Sequence, residues 1–212
     1  MNAAPLAHEK HIAIQVCRYE PDNVNIAIRP WLSEKELTRL AGMKSPRRQA
    51  EFTLSRFLIK RELGLTKHNA SRIHLSLLKG YLRADGYPGS AIALSHSAGT
   101  IAFTVFDPRQ HSLGLDIEVH NEKRNVSELS NLFNPAEHTA SAIEFYRIWT
   151  LKEALAKALN QPLQTILSSS VLHLLAQHNF SFHSETPADM TWSVVHNMSP
   201  SVPVTIHALQ PM

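Results

Sequence analysis

The sequence predicts a mixed α/β fold, because strand-like and helix-like stretches alternate along its 212 residues. Ser112–His120 places apolar side chains on every second residue, which is the period of a half-buried β-strand. Phe145–Asn160 consists of good helix formers without Gly or Pro, and its apolar residues recur at helical spacing. Helices and strands are therefore both expected.

The first elements of the chain are short. The apolar runs Ile12–Val16 and Asn25–Ile28 predict strands. Ser33 fits the N-cap of a helix, with Glu36 three residues later as in a capping box, and Gly42 predicts its end.

A second, longer helix is predicted from Pro46 to about Leu63, where Gly64 ends it. The two helices share a basic character, carried by Lys35, Arg39, Lys44, Arg47, Arg48, Arg56, Lys60 and Arg61. Three interpretations stay open at this point: a solvated face, a contact surface for phosphate or an acidic protein, and a nucleic-acid surface. Aromatic residues are not interleaved with these charges as a base-stacking platform requires.

Further strands are predicted downstream of these helices. Ile73–Leu78 reads as a strand, followed by a turn at Asp85–Gly89. Ala91–Ser95 and Thr100–Phe106 predict a hairpin whose turn is Ser95–Gly99. His96 then lies in that turn, either as a surface residue or as a donor to phosphate.

Asp107–Gln110 predicts a turn and the boundary between two halves, residues 1–108 and 109–212. Beyond the boundary, Asn134 fits an N-cap and Pro135 a first helical position, which gives Glu137 a structural role in that turn. The tail predicts four strands: Val171–Leu175, Phe180–His183, Thr191–His196 and Val202–Leu209.

Asp116 and Glu118 leave the same face of the predicted strand, roughly 7 Å apart by the strand rise, with Gly114 beside them. Like charges in this arrangement repel each other. A hard cation such as Mg2+ relieves that repulsion, since it takes one or two carboxylates and leaves its other positions to water and phosphate. The alternative is a solvent-facing polar strand.

Glu153 and Lys157 lie four residues apart on the predicted helix and share a face away from its apolar stripe. They read either as a surface ion pair or as an acid and a base that line a site. Trp149 lies one turn earlier, which indicates that this face is covered and favours the second interpretation.

Composition narrows the class of protein. Lys and Arg number 21 against 18 Asp and Glu, a net charge of +3 that does not require nucleic acid as a partner. The 13 histidines are scattered without His-x-x-x-His spacing, so no zinc site is expected. A lone cysteine, Cys17, fits a reducing compartment. Met1–His11 lacks a secretory apolar core and no run has membrane-spanning length, so a cytoplasmic protein is expected.

Three stretches in order resemble the 4'-phosphopantetheinyl transferases of the surfactin-synthetase-activating (Sfp) type. They are Ala93–Ser97, Gly114–Glu118 and Trp149–Lys157, which are similar to the family's N-x-S-H-S turn, G-x-D-x-E strand and W-x-x-K-E-A/S-x-x-K helix. The resemblance covers roughly residues 33–160. It implies two similar, pseudo-symmetric α/β halves with the active site between them.

The resemblance also implies an activity. Such an enzyme transfers the phosphopantetheine arm of coenzyme A to a serine of an acyl or peptidyl carrier protein and releases adenosine 3',5'-bisphosphate. By position, Asp116, Glu118 and Glu153 would hold Mg2+ against the coenzyme A pyrophosphate. Glu153 would also be the base for the serine hydroxyl, and Lys157 would neutralise charge on the departing phosphate oxygen.

The cofactor-binding residues implied by the resemblance extend into the first half. Ser95 and His96 would contact phosphate, and Arg39 and Arg56 match basic positions near the nucleotide, in addition to Asp116 and Lys157. A monomer is expected, with coenzyme A and a carrier protein as partners, and neither nucleic acid nor membrane.

The chain departs from the family pattern at three places. Ala93 stands where the family has Asn, Tyr87 where a Lys precedes the Pro of a turn, and Asn160–Leu163 replaces a glycine-rich segment. A non-catalytic module that binds coenzyme A or a carrier on the same scaffold is the alternative, although binding alone needs no base. A basic nucleic-acid-binding domain is the third hypothesis.

Overall fold

The computed structural model describes residues 11–24, 26–78 and 80–210, and within them the fold is a mixture of α-helices and two β-sheets, as predicted. The α-helices of this part are α1 (Glu34–Ala41), α2 (Pro46–Glu62), α3 (Lys67–Ala70), α4 (Val126–Ser130), α5 (Ala142–Leu159) and α6 (Val171–Gln177). The strands are β1 (Ile12–Arg18), β2 (Leu75–Leu78), β3 (Tyr81–Ala84), β4 (Ala91–Ser97), β5 (Thr100–Phe106), β6 (Leu113–Val119), β7 (Ser181–Glu185), β8 (Met190–His196) and β9 (Val204–Leu209).

The larger sheet has six strands in the order β2-β3-β4-β5-β1-β9. Its neighbours pair antiparallel except β1 and β9, which run parallel with Ile12 opposite Val204. The smaller sheet has the order β6-β8-β7 and is antiparallel throughout. Strand β6 is thus an edge strand whose second side is not paired by main-chain bonds with the larger sheet.

Successive side chains of each strand point to opposite faces of its sheet, so the buried residues form separate layers. One face of the larger sheet packs on α2, through Ile101 and Phe103 of β5 and Phe57 of the helix. The opposite face packs on the smaller sheet, where Ile117 and Trp192 belong to the same buried cluster as Ile14. The far face of the smaller sheet packs on α5 and α6. The result is a helix–sheet–sheet–helix arrangement, which burial of both faces of each sheet requires.

A buried ion pair anchors α1 to α2. Glu36 accepts the backbone N–H of Ser33 in the predicted capping box, and it also accepts from Lys60 at 2.6 Å and from the N–H of Leu75 at 3.0 Å. Lys60 donates as well to the carbonyls of Trp31 and Ala70. Both charges have essentially no exposure, so these bonds replace the water that burial removed.

Helix α5 lies directly on β6 because position 114 is glycine. A Cβ there would overlap the carbonyl oxygen of Ala154 and the backbone nitrogen of Ala158. The helix begins after Ser141, whose side chain accepts the N–H of Glu144, and ends at Asn160 in the left-handed conformation (φ 53°). Asn is one of the few residues that tolerate this conformation, so Asn160 can end the helix without a glycine.

Most predicted elements are confirmed, with three corrections. The run 26–28 belongs to a 3-10 helix (Ile26–Trp31) instead of a strand, and Asn25 lies outside the described residues. Val171–Leu175 is part of helix α6 rather than a strand. Ser95–Ser97 belongs to strand β4, because Ala98 and Gly99, with φ of 43° and 84°, complete the turn by themselves.

The boundary at residue 108 stays a prediction. Strand β9, from the second half, adds to the first half's sheet beside β1. In residues 11–24, 26–78 and 80–210, no helix combines the length and apolar character needed to cross a bilayer.

Candidate active site

The acidic face of β6 and the polar face of α5 meet, as the motif pattern predicts. Lys157 Nζ donates to Asp116 Oδ1 at 2.6 Å and to the carbonyl oxygen of Leu115 at 3.1 Å. The lysine therefore pairs across the helix–strand interface instead of with Glu153, its neighbour four residues earlier. The side chain of Lys157 remains 30% exposed, which leaves its ammonium accessible beside a buried carboxylate.

Two serines of β4 bridge to β6. Ser95 Oγ donates to Asp116 Oδ1 at 2.7 Å and accepts the backbone N–H of Ile117 at 3.2 Å. Since Ser95 lies in a strand, its side chain shares a face with Ser97 and is opposite to His96. The resemblance implies that Ser95 and His96 contact phosphate, and the structure puts their side chains on opposite faces of the sheet.

Asp116 is almost fully buried, with 5% of its surface exposed. Both donors, Ser95 and Lys157, reach its Oδ1, whereas Oδ2 is buried and has no hydrogen-bond partner among the described residues. A buried carboxylate oxygen without a partner is costly. It marks Oδ2 as an atom suited to a ligand, and an anionic oxygen favours a cation.

Glu118 is held from two sides. Its Oε2 accepts from Ser97 Oγ at 2.9 Å and lies 3.7 Å from an Arg124 nitrogen. Burial raises the pKa of Glu118, while the Ser97 hydrogen bond and the Arg124 charge act in the opposite direction. The negative charge of nearby Asp116 also raises this pKa, and the positive charge of Lys157 lowers it.

Glu153 faces the same carboxylates from α5. Burial is the largest cause that raises its pKa, followed by the negative charge of Asp116. The positive charge of Lys157 lowers it and Glu118 raises it again. The Glu153 side chain makes no hydrogen bond or ion pair with the part of the chain that the structure describes. Its carboxylate is therefore free of structural duties, as a base or a ligand must be.

Trp149 has a structural explanation that differs from the prediction. Its ring stacks on Phe145 with centroids 5.7 Å apart and lies against Phe133. Trp149 is thus covered by Phe145 of α5 itself and by Phe133 of the segment before α5, and the indole does not indicate a ligand. Glu137 is structural as predicted: it pairs with Lys152 at 2.7 Å and accepts the N–H of Val171.

Arg39, Arg56 and His96 line a separate cavity of about 270 Å3 on the α2 face of the larger sheet. Phe52 forms part of its wall, with the Arg56 guanidinium 4.3 Å and that of Arg39 5.5 Å from the ring centroid. His96 Nε2 lies 3.3 Å from Glu51 Oε1. None of Asp116, Glu118, Glu153 and Lys157 lines this cavity, so the predicted site residues form two groups.

Arg56 is the buried cation of this cavity. It is 6% exposed, and burial lowers its pKa to about 10, so it stays charged at neutral pH. Its Nη1 donates to Ser55 Oγ, while its Nε is buried without a partner among the described residues. An under-satisfied buried guanidinium fits an anionic ligand.

The β2–β3 turn connects the two groups. Gly80 lines the cavity and approaches the end of α5 so closely that a Cβ would lie 3.1 Å from Asn160 Oδ1 and 3.3 Å from the Lys157 carbonyl oxygen. Gly80 also has a φ of 81°, which glycine adopts without strain. The rim of the cavity therefore touches the turn of α5 that carries Lys157.

The donor chemistry fits a hard divalent cation, since Asp116, Glu118 and Glu153 supply carboxylate oxygens. Asp116 Oδ2 is the atom that most requires a partner. No three His, Cys, Asp or Glu side chains in the described ranges are already arranged as a metal-binding group. A cation at this place would thus need ligands from a bound substrate as well.

Two residues near the carboxylates were not assigned a role from the sequence. The role of Ser97 could have been predicted if Ser95–Ser97 had been assigned to a strand, because residues two apart on a strand share a face. Arg124 lies in a polar loop, and its ring contact with Tyr146 at 5.4 Å has no sequence pattern that predicts it.

A family model described as the 4'-phosphopantetheinyl transferase superfamily matches residues 112–206, which contain β6, α5 and β8. This segment of the chain is similar to that superfamily. Two curated proteins are similar to the chain, both named 4'-phosphopantetheinyl transferase AcpT, from Salmonella typhi and Salmonella typhimurium. Each is 40% identical over 73 residues, which is 30% of this chain and 37% of the relative. The match thus spans little more than a third of the relatives' length.

Proposed function

We propose that this chain is a Mg2+-dependent 4'-phosphopantetheinyl transferase of the Sfp type. It transfers the 4'-phosphopantetheine group of coenzyme A to a serine of an acyl or peptidyl carrier protein, which is holo-acyl-carrier-protein synthase activity. The superfamily match of residues 112–206 supports the reaction class. The printed name of the Salmonella relatives supports the same class.

The observation that carries the proposal is the environment of Asp116. One oxygen of this buried carboxylate takes a serine and a lysine, while the other has no described partner and Glu118 and Glu153 lie around it. Phosphoryl transfer consists mainly of positioning and of neutralising phosphate charge, for which carboxylates with a cation and a lysine suffice. When bound by Asp116, Glu118 and Glu153, Mg2+ supplies charge neutralisation to the diphosphate.

The reaction needs no nucleophilic side chain from this protein, because the carrier serine is the nucleophile. The serine oxygen of the carrier bonds to the phosphorus of the phosphopantetheine group as the bond to the adenosine bisphosphate oxygen breaks. Glu153 receives the serine proton, directly or through one water, because it is free of other partners and partly exposed. Lys157 stabilises negative charge on the leaving oxygen, for which its 30% exposure leaves access.

The cavity beside α2 holds the nucleotide end of coenzyme A in this proposal. Arg39 and Arg56 both lie near the Phe52 ring and supply positive charge. The His96 side chain, which is 48% exposed, adds a further polar group. Gly80 lines this cavity and approaches the backbone carbonyl of Lys157, which supports a ligand that extends from the arginines toward the carboxylates.

The finer architecture belongs to the same proposal. In this proposal residues 1–108, with α2 on strands β1 to β5, and residues 109–212, with α5 on the smaller sheet, are two related halves with the active site between them. Strand β9 of the second half joins the sheet of the first. The enzyme acts as a cytoplasmic monomer, with no nucleic acid or membrane as a partner. A basic first half would steer an acidic carrier toward the site.

Intact-mass spectrometry of apo carrier proteins tests the proposal. The chain, coenzyme A and Mg2+ are incubated with a panel of carriers, and the wild type is expected to add the phosphopantetheine mass to at least one. Asp116→Ala and Glu153→Gln should abolish that addition, whereas the exposed Lys123→Met serves as a matched control and should retain it.

The same experiment distinguishes the transferase from a non-catalytic binding module. If the wild type leaves every carrier unmodified yet binds coenzyme A, the chain is a non-catalytic binding module and the transferase proposal is wrong. Salt-sensitive binding to DNA or RNA that does not depend on Asp116 would instead indicate a nucleic-acid-binding domain.

A further inference from the structure

The hydroxyls of Ser95 and Ser97 make the same pair of bonds, two residues apart on both strands. Ser95 donates to Asp116 and accepts the N–H of Ile117, and Ser97 donates to Glu118 at 2.9 Å and accepts the N–H of Val119 at 3.1 Å. Each hydroxyl thus uses its one donor on a carboxylate and one lone pair on the next backbone amide.

These bonds replace a main-chain ladder. Strand β4 pairs with β3 and β5, and β6 pairs with β8, so the serines join the free side of β6 to the face of β4. The separation and register of the two strands at the carboxylates therefore depend on two side chains. Ser95 is 5% exposed, while Ser97 is partly exposed at the end of the strand.

In both carboxylates the protein's donors gather on one oxygen. Asp116 Oδ1 accepts from both Ser95 and Lys157, and Oδ2 is buried with no partner in the described part of the chain. Glu118 Oε2 takes Ser97 and faces Arg124, while Oε1 has no hydrogen bond from the described residues. Each of the two neighbouring carboxylates therefore keeps one oxygen that accepts no hydrogen bond from the described residues.

We propose that Ser97 is a positioning residue that fixes the orientation of Glu118, so that the serine pair presents Asp116 Oδ2 and Glu118 Oε1 together to a divalent cation. This inference rests on the proposed function. Ser97 acts through Glu118 and touches neither coenzyme A nor the carrier in this account. Outer-shell partners of this kind typically contribute about 10–100-fold to metal affinity.

The test uses Mn2+ as the probe, with the full chain and coenzyme A present, and measures free Mn2+ by electron paramagnetic resonance. Ser97→Ala should bind Mn2+ about 10-fold more weakly than the wild type. Ser97→Thr keeps the hydroxyl and should bind like the wild type, whereas its isostere Ser97→Val should bind as weakly as Ser97→Ala. The exposed Ser127→Ala is the control and should change nothing.

A second measurement distinguishes a change in the orientation of Glu118 from a general loss of folded protein. In the carrier-modification assay, Ser97→Ala should raise the Mg2+ concentration for half-maximal rate, while kcat at saturating Mg2+ stays near the wild-type value. Urea unfolding of Ser97→Thr and Ser97→Val identifies any loss of folded protein.

The possible outcomes are distinct. If the wild type binds Mn2+ and modifies a carrier while Ser97→Ala binds Mn2+ equally well, the inference is wrong and the proposed function stands. Equal weakening in Ser97→Thr and Ser97→Val would assign the effect to side-chain size and also overturn it. A wild type that neither binds Mn2+ nor modifies any carrier overturns both.

Discussion

Lys157 Nζ lies 2.6 Å from Asp116 Oδ1, and this ion pair joins the last turn of α5 to the middle of β6. Asp116 is buried and Lys157 is partly exposed, so the lysine is the accessible partner of a fixed carboxylate. An i, i+4 pair between Glu153 and Lys157 was one interpretation of the sequence, but Lys157 forms its ion pair with Asp116. Glu153 is left without a counter-ion in contact.

Replacement of Lys157 by methionine should remove activity and destabilise the fold. The change leaves the buried Asp116 carboxylate with Ser95 as its donor, which should lower the free energy of unfolding by about 1–3 kcal/mol. Urea denaturation of Lys157→Met, Asp116→Asn and the double variant measures this. The double variant should lose less than the sum of the single losses, because it has no unpaired charge. Additive losses would contradict the pairing.

Gly114→Ala should destabilise the protein because the helix–strand contact leaves no room for a methyl group. A Cβ at this position overlaps the Ala154 carbonyl, so α5 must move away from β6. Overpacking of this kind costs about 1–3 kcal/mol. The matched control is Gly42→Ala, whose Cβ would meet only the Arg39 carbonyl at an ordinary 3.6 Å. Equal effects of the two substitutions on the urea midpoint would contradict the close approach.

Glu36→Ala should be among the most damaging substitutions in the first half. It leaves the buried Lys60 ammonium without its anion and removes the acceptor of the Leu75 amide. Loss of one partner of a buried pair costs about 3–5 kcal/mol. Thermal and urea unfolding should show this loss, while the exposed Glu34→Ala in the same first turn should change stability by less than about 1 kcal/mol. A mild Glu36→Ala variant would be inconsistent with the network.

His196 should make stability depend on pH. Burial, followed by the charges of His111 and His183, lowers the pKa of this side chain, whose Nδ1 is buried without a partner among the described residues. The unfolded chain therefore binds more protons, and the free energy of unfolding falls as pH drops below the ordinary histidine pKa of about 6.5.

Urea unfolding between about pH 5 and 8 measures this dependence. His196→Leu should flatten it, and the part that remains should include His120, whose pKa is also lowered by burial. An unchanged slope in His196→Leu would show that His196 does not carry the effect.

Local patterns predicted the elements of the site but not all of its contacts. The period of Ser112–His120 and the composition of Phe145–Asn160 predicted β6 and α5 well, because each has a distinct apolar spacing. The bond from Ser95 to Asp116 joins residues 21 apart, and no local spacing encodes it.

The wrong predictions have physical causes. Ser and Gly are turn formers, so Ser95–Gly99 read as one turn, although the Ala98–Gly99 pair alone reverses the chain. Val171–Leu175 is a short apolar run that suits a strand or a helix, and the Ser170 side chain, which accepts the His173 N–H, starts a helix there. The division of the site residues into two groups, one with Arg56 and one with Asp116, was not predicted, because it depends on how the two sheets pack.

The most direct test of the account is a crystal structure of the chain with coenzyme A and Mg2+. We expect Asp116, Glu118 and Glu153 to hold the Mg2+ ion, with Asp116 Oδ2 about 2.0–2.1 Å from it, and the nucleotide to lie beside Arg56. Coenzyme A bound elsewhere, or a diphosphate that leaves Asp116 Oδ2 without a metal contact, would contradict it.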